Sequence, residues 1–430
     1  MARLLIVYYH HQPRRSITDH LYSFRRYGGH DCWYLNAAVW GTPRIAADLS
    51  VDLVVFHTTF LSQRWDPLHF RHMTRKAAVF ARSRPVKAAI PQDEFMHTDS
   101  LRDFINAAGV TRIFSAARPS EWPKIYSGVD LARIRLTQVL TGYLDDATVR
   151  RIENLALRIA DRPIDIGYRA WKAAPWLGRH GYLKLEIAEI FRKKAAERGL
   201  VADISTELKD TLMGDDWHRF LLRCKYAIGV EGGASILDRD GTIKARTEEY
   251  TSKHPGAGFE EIEGACFPGL DGSLNLFALS PRHLEACATR TCQILVEGEY
   301  NGILKPGRHY IELKRNMENL DAVMDMISEG RNRREIAQAA HDEIVAGRRY
   351  SYAAFVETVV SASVPAETGP AGRAPRSPVL YLVGAADALA IVLSAAWRTA
   401  TAGGPGAWIK RVILKPLLLR TGPSDKLLKG

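Results

Sequence analysis

The sequence predicts an α/β protein with two Rossmann-like lobes that face a cleft, plus a C-terminal helical tail. Short apolar strands alternate with amphipathic helical segments over residues 1–150 and again over residues 151–362. Such alternation is typical of parallel sheets with helices on both faces. At 363–378 the composition changes to Pro, Ala and Gly, which indicates a linker. An apolar, basic segment at 379–430 forms the predicted tail.

The first lobe is predicted from five strands with helices between them. The strands LLIVYY, DCWYLN, VDLVVFH, VKAAIP and VTRIFSA lie at 4–9, 31–36, 51–57, 86–91 and 110–116. An amphipathic segment at about 66–82 and a helix at 100–109 connect the later strands. Residues 130–160 are interpreted as a largely helical connector to the second lobe.

The second lobe repeats the strand–helix pattern without an internal sequence repeat. Its predicted strands lie at 163–169, 201–205, 226–233 and 293–297. Its predicted helices lie at 181–200, 217–225, 319–329, 331–347 and 352–362, with a further helix before the last strand. Ligands of such sheets bind beyond the carboxyl ends of the strands, so we expect the functional site at the cleft.

Composition and charge narrow the class of protein. The chain has 430 residues, of which 46% are apolar and 25% charged, which is typical of a globular protein. Five scattered cysteines make no disulfide framework and favour a reducing cytoplasm. A net charge of +11 is compatible with phosphate ligands or an anionic membrane. Basic residues appear spread along the chain, with no helix-turn-helix or zinc-finger pattern, so nucleic acid is not an expected partner.

The tail has two interpretations. Its apolar run at 379–397 is nearly long enough to span a bilayer, but Asp387 near its middle costs roughly 2.5–3.5 kcal/mol on insertion scales. A basic, apolar segment also suits peripheral contact with an anionic membrane surface. The alternative is a pair of helices packed on the lobes or on a second subunit.

The stretch LEACATRTCQILVEGEYNGILKPGRHYIEL at 284–313 contains two cysteines, Cys287 and Cys292. No His or Cys lies near them at the spacing of a structural zinc site. Buried packing is therefore the expected role of both thiols.

The helix start in LSPRHLEACATRT carries more information. Ser280 is a predicted N-cap and Pro281 suits the first helical position. Free N–H groups at such an end favour phosphate, and Arg282 in the first turn could grip a diphosphate. Glu285, one turn later, could accept the two hydroxyls of a ribose. Glutamate is also common there simply because it complements the helix dipole.

Several motifs resemble one family. DIGYR, WLGRHGYLK, GVEGGASILDRDG, SPRHLEACATRT and EGEYNGILKPGRHYIEL are similar to the donor half of GT-B-fold glycosyltransferases. More narrowly, they resemble bacterial transferases of surface polysaccharides and the CgeB-like group, as does IPQDEF in the first lobe. The similarity covers about 90–360. It implies transfer of a sugar from a nucleoside-diphosphate sugar to a glycan or lipid-linked acceptor, in the cytoplasm or peripherally at the inner face of the cell membrane.

The resemblance also implies roles for particular residues, without a bound metal or other cofactor. Glu285 matches the glutamate that binds the ribose, and Arg169 with Lys184 matches the basic pair on the diphosphate, with Arg179 as a competitor. The other donor-binding candidates are Glu231, Ser280, Arg282, Thr289, Asn301 and Gly302. The turn from Gly298 to Gly302 is expected to form a loop that closes over the donor.

Two positions depart from the family pattern. Many GT-B enzymes have a sugar-contacting glutamate eight positions before the ribose-binding one, where this chain has Phe277. The stereochemical outcome therefore stays open. Arg290 stands where relatives often have Gly. The DRD at 238–240 looks like a metal-binding DxD, but Gly241 after it favours a turn.

The acceptor side is predicted at the end of the fourth strand, in PQDEF. Asp93 or Glu94 could act there as a general base on an acceptor hydroxyl. His10 and His11 follow the first strand and occupy an equivalent position. For each of these residues, a helix cap or a solvated loop is the alternative interpretation.

Two other functions remain open. A nucleotide-sugar epimerase or hydrolase could have the same fold, and would turn over the donor without an acceptor. A non-catalytic scaffold at the membrane would bind no nucleotide. The sequence does not disclose the sugar, the base, the acceptor, the anomeric outcome or the oligomeric state.

Overall fold

Two parallel sheets with flanking helices form most of the computed structural model, which describes residues 1–9, 15–40, 46, 50–159 and 161–364. The first sheet has the order β2-β1-β3-β4-β5-β6, and the second the order β13-β12-β9-β7-β8. A small antiparallel ribbon, β10-β11, lies apart from both sheets. The predicted α/β class with two Rossmann-like lobes is thereby confirmed.

The strand and helix bounds follow the predicted alternation. The strands are β1 (Arg3–Tyr8), β2 (Asp31–Asn36), β3 (Leu53–Phe56), β4 (Val86–Ala89), β5 (Arg112–Ser115), β6 (Arg135–Gln138), β7 (Ile164–Arg169), β8 (Ala202–Ser205), β9 (Cys224–Gly229), β10 (Gly232–Ala234), β11 (Leu276–Ala278), β12 (Cys292–Val296) and β13 (Tyr310–Leu313). The α-helices are α1 (Arg15–Tyr27), α2 (Ala37–Trp40), α3 (Thr58–Leu61), α4 (Pro67–Ala77), α5 (Thr98–Ala108), α6 (Trp122–Ile125), α7 (Asp146–Ala156), α8 (Arg179–Glu197), α9 (Asp215–Arg223), α10 (Thr242–Lys253), α11 (Phe259–Cys266), α12 (Pro281–Ala288), α13 (Leu320–Glu329), α14 (Arg333–Ala340) and α15 (Tyr352–Ser363).

Four short strands were not predicted from the sequence. Strand β6 lies inside the connector that was interpreted as helical, and β13 lies after the predicted loop, where no strand was predicted. Strands β10 and β11 have three residues each. The three-residue strands β10 and β11 are too short to show a period of two, so their pairing with each other determines them.

The last described helix returns to the first lobe. In α15, Tyr352, Phe355 and Val359 are buried in the same apolar cluster as Leu4 and Phe24. The predicted boundary assigned residues 352–362 to the second lobe, and the structure corrects this. Because α15 packs on α1, the end of the described chain stabilises the fold of its beginning.

The lobes also touch beside the cleft. The backbone N–H of Asp238 donates to the carbonyl of Phe95, and the N–H of His97 donates to the carbonyl of Asp238, each at 2.8 Å. Trp176 of the second lobe packs against Trp65 and Phe95, with ring centroids 5.9 and 6.4 Å apart. These contacts fix the segment after β4 relative to the second lobe.

The predicted linker at 363–378 lies almost wholly outside the described residues, as does the entire tail at 379–430. Among the helices that the structure describes, none is both long and apolar enough to cross a membrane.

Candidate active site

The helix start predicted at Ser280 is confirmed. Ser280 is the N-cap of α12, and its side chain accepts from the first turn of the helix. His283 completes a capping box, because its Nδ1 accepts from the backbone N–H of Ser280 at 3.0 Å. Burial, and Arg282 beside it, lower the pKa of His283 to about 3. His283 is therefore neutral, which leaves the cation of Arg282 to set the charge at this helix end.

An open pocket lies at the carboxyl ends of β7 and β8. It is shallow, with a cavity volume of about 10 Å³, so a bound ring would lie against its walls and remain open to solvent on one side. The lining residues are Arg169, Ala170, Trp171, Glu207, Asp210, Thr211, Leu212, Trp217 and Arg282, and we call this the tryptophan pocket. Two indole rings and two guanidinium groups in one depression suit an aromatic ring carrying an anionic group.

Glu285 lies next to the tryptophan pocket. One of its carboxylate oxygens accepts from Trp217 Nε1 at 2.8 Å, and the other is 3.8 Å from His218 Nε2. The side chain of Glu285 is one quarter exposed. Arg282, one turn earlier, lies over the Trp217 ring, with the guanidinium carbon 5.4 Å from the ring centroid. The helix spacing thus places both α12 side chains on the same indole.

Arg169 is held in place at the pocket wall. Its guanidinium donates to the carboxylate of Asp203 at 2.8 Å and lies over the Phe220 ring at 4.3 Å. Its Nε is buried and has no hydrogen-bond partner among the described residues. A preorganised guanidinium with a donor to spare can bind a ligand oxygen.

Lys184, in the second turn of α8, is half-buried and unpaired. Within the described ranges it forms neither a hydrogen bond nor an ion pair, and Arg282 has no carboxylate partner. Burial lowers the pKa of Lys184, Arg282 lowers it further, and Asp93 opposes both effects. Two neighbouring cations without a counterion destabilise each other, so this position favours an anion.

Asp93 lies on the first-lobe side of the cleft, in the segment after β4. Its backbone is left-handed, with φ of 52°, and the residue is partly open to solvent. The protein packed around its carboxyl raises the pKa of that group, whereas Arg64 and Lys184 act in the opposite direction. Asp93 therefore interacts electrostatically with a cation of the second lobe, and its pKa is shifted toward that of a useful base.

The backbone around Asp93 is held by Arg64, which sequence reasoning missed. Arg64 is fully buried and donates to the carbonyls of Met96 at 3.0 Å, Leu61 at 2.9 Å, Gln92 at 2.5 Å and Asp93 at 2.7 Å. From the sequence, an arginine just before an amphipathic segment is expected to be exposed to solvent. Only the fold shows that backbone carbonyls surround Arg64.

Arg64→Met is expected to destabilise the fold by about 3 kcal/mol or more, because four carbonyls lose a buried donor. Urea unfolding measures this difference. Arg75→Met on the exposed face of α4 is the control and should leave the midpoint unchanged. Equal midpoints for the Arg64 variant and the wild type would mean that water replaces the guanidinium.

No family model matches this chain, and no curated protein matches it by sequence. HepE of Anabaena, solved with UDP and glucose, aligns over 84% of this chain and 99% of its own, at 9% identity and a TM-score of 0.47. An alpha-glucosyltransferase solved with UDP-glucose and DNA aligns over 83% and 98%, at 10% identity and a TM-score of 0.48. AviGT4, a glycosyltransferase of avilamycin A biosynthesis, aligns over 84% and 96%, at 11% identity and a TM-score of 0.40. In fold, this chain is similar to solved glycosyltransferases.

Some predicted residues do not lie at the cleft or the pocket. Glu94 is fully buried and accepts from Ser115 Oγ at 2.6 Å, the N–H of Ala116 at 2.7 Å, and the hydroxyl of Tyr126. It therefore holds the first lobe together and cannot reach an acceptor. Thr289 is wrong as a donor contact, since it is buried at the far end of α12.

Arg179 is also corrected. Its guanidinium pairs with Glu260 at 3.1 Å and lies over the Phe259 ring at 4.7 Å, so it turns toward α11 and away from the tryptophan pocket. The sequence could not separate Arg179 from Lys184, because both lie in the first two turns of α8. Only the packing of α11 decides between them.

Three residues predicted to contact the donor belong to the loop after β12 instead, and two of them hold it in place. Buried Glu231 accepts from the N–H of Tyr300 at 2.7 Å, and Asn301 accepts from the N–H of Leu279 at 2.6 Å. Gly302 is exposed on this loop and does not line the tryptophan pocket. A Cβ on Gly298 would lie 2.5 Å from Glu231, which explains the glycine in EGEY.

The remaining candidates are settled or lie outside the described chain. Asp238 accepts from the N–H of Gly241 at 2.9 Å and of Lys244 at 2.8 Å, which confirms a turn in DRD. Cys287 and Cys292 are buried, and burial raises the pKa of each to about 12. Among the described residues, no three His, Cys, Asp or Glu side chains are grouped so that they could hold a metal ion.

His10 and His11 lie outside the residues that the structure describes.

Phe277, eight positions before Glu285, stacks on a neighbouring ring. Its ring packs on His180 with centroids 3.8 Å apart. Burial, then Lys184, lower the pKa of His180 to about 3, so the imidazole is neutral. Its Nε2 bonds the carbonyl of Glu231 at 3.1 Å. Phe277 and His180 thus form a neutral aromatic pair at this position.

Proposed function

We propose that this chain is a metal-independent glycosyltransferase. It would move a hexose-type sugar from a nucleoside-diphosphate sugar to a glycan or lipid-linked acceptor in surface polysaccharide biosynthesis. The observation that carries the proposal is Arg282, which lies at the tryptophan pocket over Trp217 and has no carboxylate partner among the described residues, with the half-buried Lys184 as a second cation near it.

The roles follow from charge and position. A nucleoside diphosphate leaves with negative charge on its phosphate oxygens, and Lys184 and Arg282 would stabilise that charge as the bond to the sugar breaks. Fixed cations can supply this stabilisation in the way a divalent ion does in other enzymes. Asp93 would accept the proton of the acceptor hydroxyl.

The tryptophan pocket would hold the nucleoside. Trp171 is 46% exposed at its rim and could stack on a base, whereas Trp217 forms part of the wall and holds Arg282 and Glu285 in place. Glu285 retains accepting capacity beyond its bond to Trp217, which suits the hydroxyls of a ribose. We also propose a cytoplasmic protein with peripheral contact to the inner face of the cell membrane.

Titration calorimetry of the wild type with UDP, GDP and dTDP tests the proposal. We expect one of them to bind, and the matching sugar nucleotide to be consumed only when an acceptor is present. Consumption without an acceptor would favour an epimerase or a hydrolase. A chain that binds none of these nucleotides would be a scaffold.

Glu285→Ala is expected to weaken binding of that nucleotide by about 10- to 100-fold, because hydrogen bonds to a charged group contribute about 1.5–3 kcal/mol. Trp217→Phe is the matched variant, since it removes the indole N–H but keeps an aromatic face. If Trp217→Phe loses as much affinity as Glu285→Ala, the carboxylate only orients the ring and does not bind the ribose.

A further inference from the structure

A concentration of positive charge lies on the first lobe, on α4 and in the segment that follows it. Residues 67–92 contain no Asp or Glu. Five exposed cations lie in this stretch: Arg71, Arg75, Lys76, Arg82 and Arg84. We call these five residues with Leu68 the α4 basic surface. Since the whole chain carries +11, this short stretch holds a large part of the net charge.

Helix geometry places the α4 members of this surface on one face. Leu68, Arg71, His72, Arg75 and Lys76 are exposed and spaced three or four residues apart. The opposite face of α4 is buried and consists of Phe70, Met73, Thr74 and Ala77. Packing of the apolar face on the first lobe therefore fixes the direction in which the cations point.

No carboxylate in the described chain neutralises these five cations, since none of them forms an ion pair there. Asp66, just before α4, is its N-cap and accepts from the N–H of His69 at 3.1 Å. On α5, which packs against α4, Asp99 and Asp103 pair with Arg102 at 2.8 and 2.9 Å. The positive potential is therefore free to attract an external anionic surface.

We propose that the α4 basic surface binds an anionic lipid bilayer. Leu68 is 76% exposed in the first turn of α4, beside the cations. An apolar side chain next to lysines and arginines suits the boundary between headgroups and acyl chains. The stems of arginine and lysine can lie along that boundary while their charges reach lipid phosphates. A soluble polyanion would use the cations but would leave Leu68 exposed to water.

The surface begins beside the cleft. The His69 ring contacts Tyr9, the residue after β1, with centroids 5.6 Å apart. Trp65, just before α4, packs on Phe95, two residues after Asp93. A bilayer on this surface would lie next to the acceptor side of the cleft, where a lipid-linked acceptor could enter. The bilayer contact stands independently, whereas acceptor delivery rests on the proposed transferase function.

Vesicle sedimentation of the full chain tests the contact. Vesicles of equal parts phosphatidylglycerol and phosphatidylcholine are compared with phosphatidylcholine alone. The variant Arg71→Glu, Arg75→Glu, Lys76→Glu should lose roughly 100-fold in partitioning to anionic vesicles, at about 5-fold for each cation removed. The wild type should also dissociate as salt rises. A matched variant reverses Lys193, Arg331 and Arg334 on the second lobe and should bind like the wild type.

Two results would overturn the proposed bilayer contact. If the α4 variant sediments like the wild type while a tail variant with Lys410, Arg411 and Lys415 reversed does not, the tail is the contact and the proposal is wrong. Binding to double-stranded DNA without binding to vesicles would also overturn it. Nucleotide affinity and melting temperature, measured on the same variants, should be unchanged, which separates this result from a failure of the transferase function.

Discussion

Replacing Lys184 by methionine is expected to weaken binding of the cognate nucleoside diphosphate roughly 100-fold, or about 3 kcal/mol. The ammonium is half-buried and forms no ion pair with any residue that the structure describes, so a diphosphate oxygen would be its first direct partner. The same variant should be at least as stable as the wild type, because burial penalises the charge that it removes. Calorimetric titration and urea unfolding give the two readouts. Weaker binding together with equal or greater stability distinguishes a ligand-binding lysine from a structural one.

The control for Lys184 lies on the same helix. Lys194→Met removes a lysine that pairs with Asp321 at the surface, and nucleotide affinity should not change. The pH dependence has a defined sign. Because the folded pKa of Lys184 is lowered, the cost of its charge is present below that pKa and disappears as pH rises toward the unfolded value. A Lys184 variant that binds nucleotide like the wild type would remove the main support for the diphosphate site.

Asp93→Asn is expected to lower kcat by about 10²- to 10⁴-fold, the usual contribution of a positioned general base. Asparagine tolerates the left-handed backbone of this position, so the fold should be retained. Nucleotide affinity should change little, since Asp93 lies on the acceptor side. Steady-state kinetics with the cognate donor, together with titration of the nucleotide, separate the two effects.

The pH profile gives a second test of Asp93. The protein packed around its carboxyl raises the pKa of that group, so activity should fall as pH drops through this raised value, at higher pH than for an ordinary aspartate. The residual activity of Asp93→Asn should lack that acidic limb. Asp103→Asn, on the exposed face of α5, is the control. A wild-type profile that is flat down to the ordinary range of aspartate would contradict the role of Asp93 as a base.

Local features of the site could be predicted from the sequence. The start of α12 was predicted correctly because Ser280 and Pro281 act within one helical turn. The thiols of Cys287 and Cys292 were correctly predicted to be buried, since their neighbours offered no ligands. Both properties depend on residues close in the chain, and for this reason no tertiary information was needed.

The sequence could not decide which of two neighbouring residues, Asp93 or Glu94, is the candidate general base. Asp93 and Glu94 are neighbours, yet one faces the cleft and the other is buried against Ser115 and Tyr126. The difference arises from the left-handed backbone at Asp93, which carbonyl contacts with a distant arginine stabilise. A single left-handed residue changes the direction in which the neighbouring side chains point, and the spacing of residues in the sequence does not show this.

The sequence by itself determined the α/β class, the two series of strands, the helix start at Ser280 and the region of the cleft. These follow from hydrophobic period and from capping, which act over a few residues. Only the tertiary structure decided that Arg179 pairs with Glu260 on α11, that Glu231 holds a loop, and that α15 belongs to the first lobe. The physical reason is that each of these outcomes depends on which distant group satisfies a charge, an N–H or an apolar face, and such partners are chosen by packing.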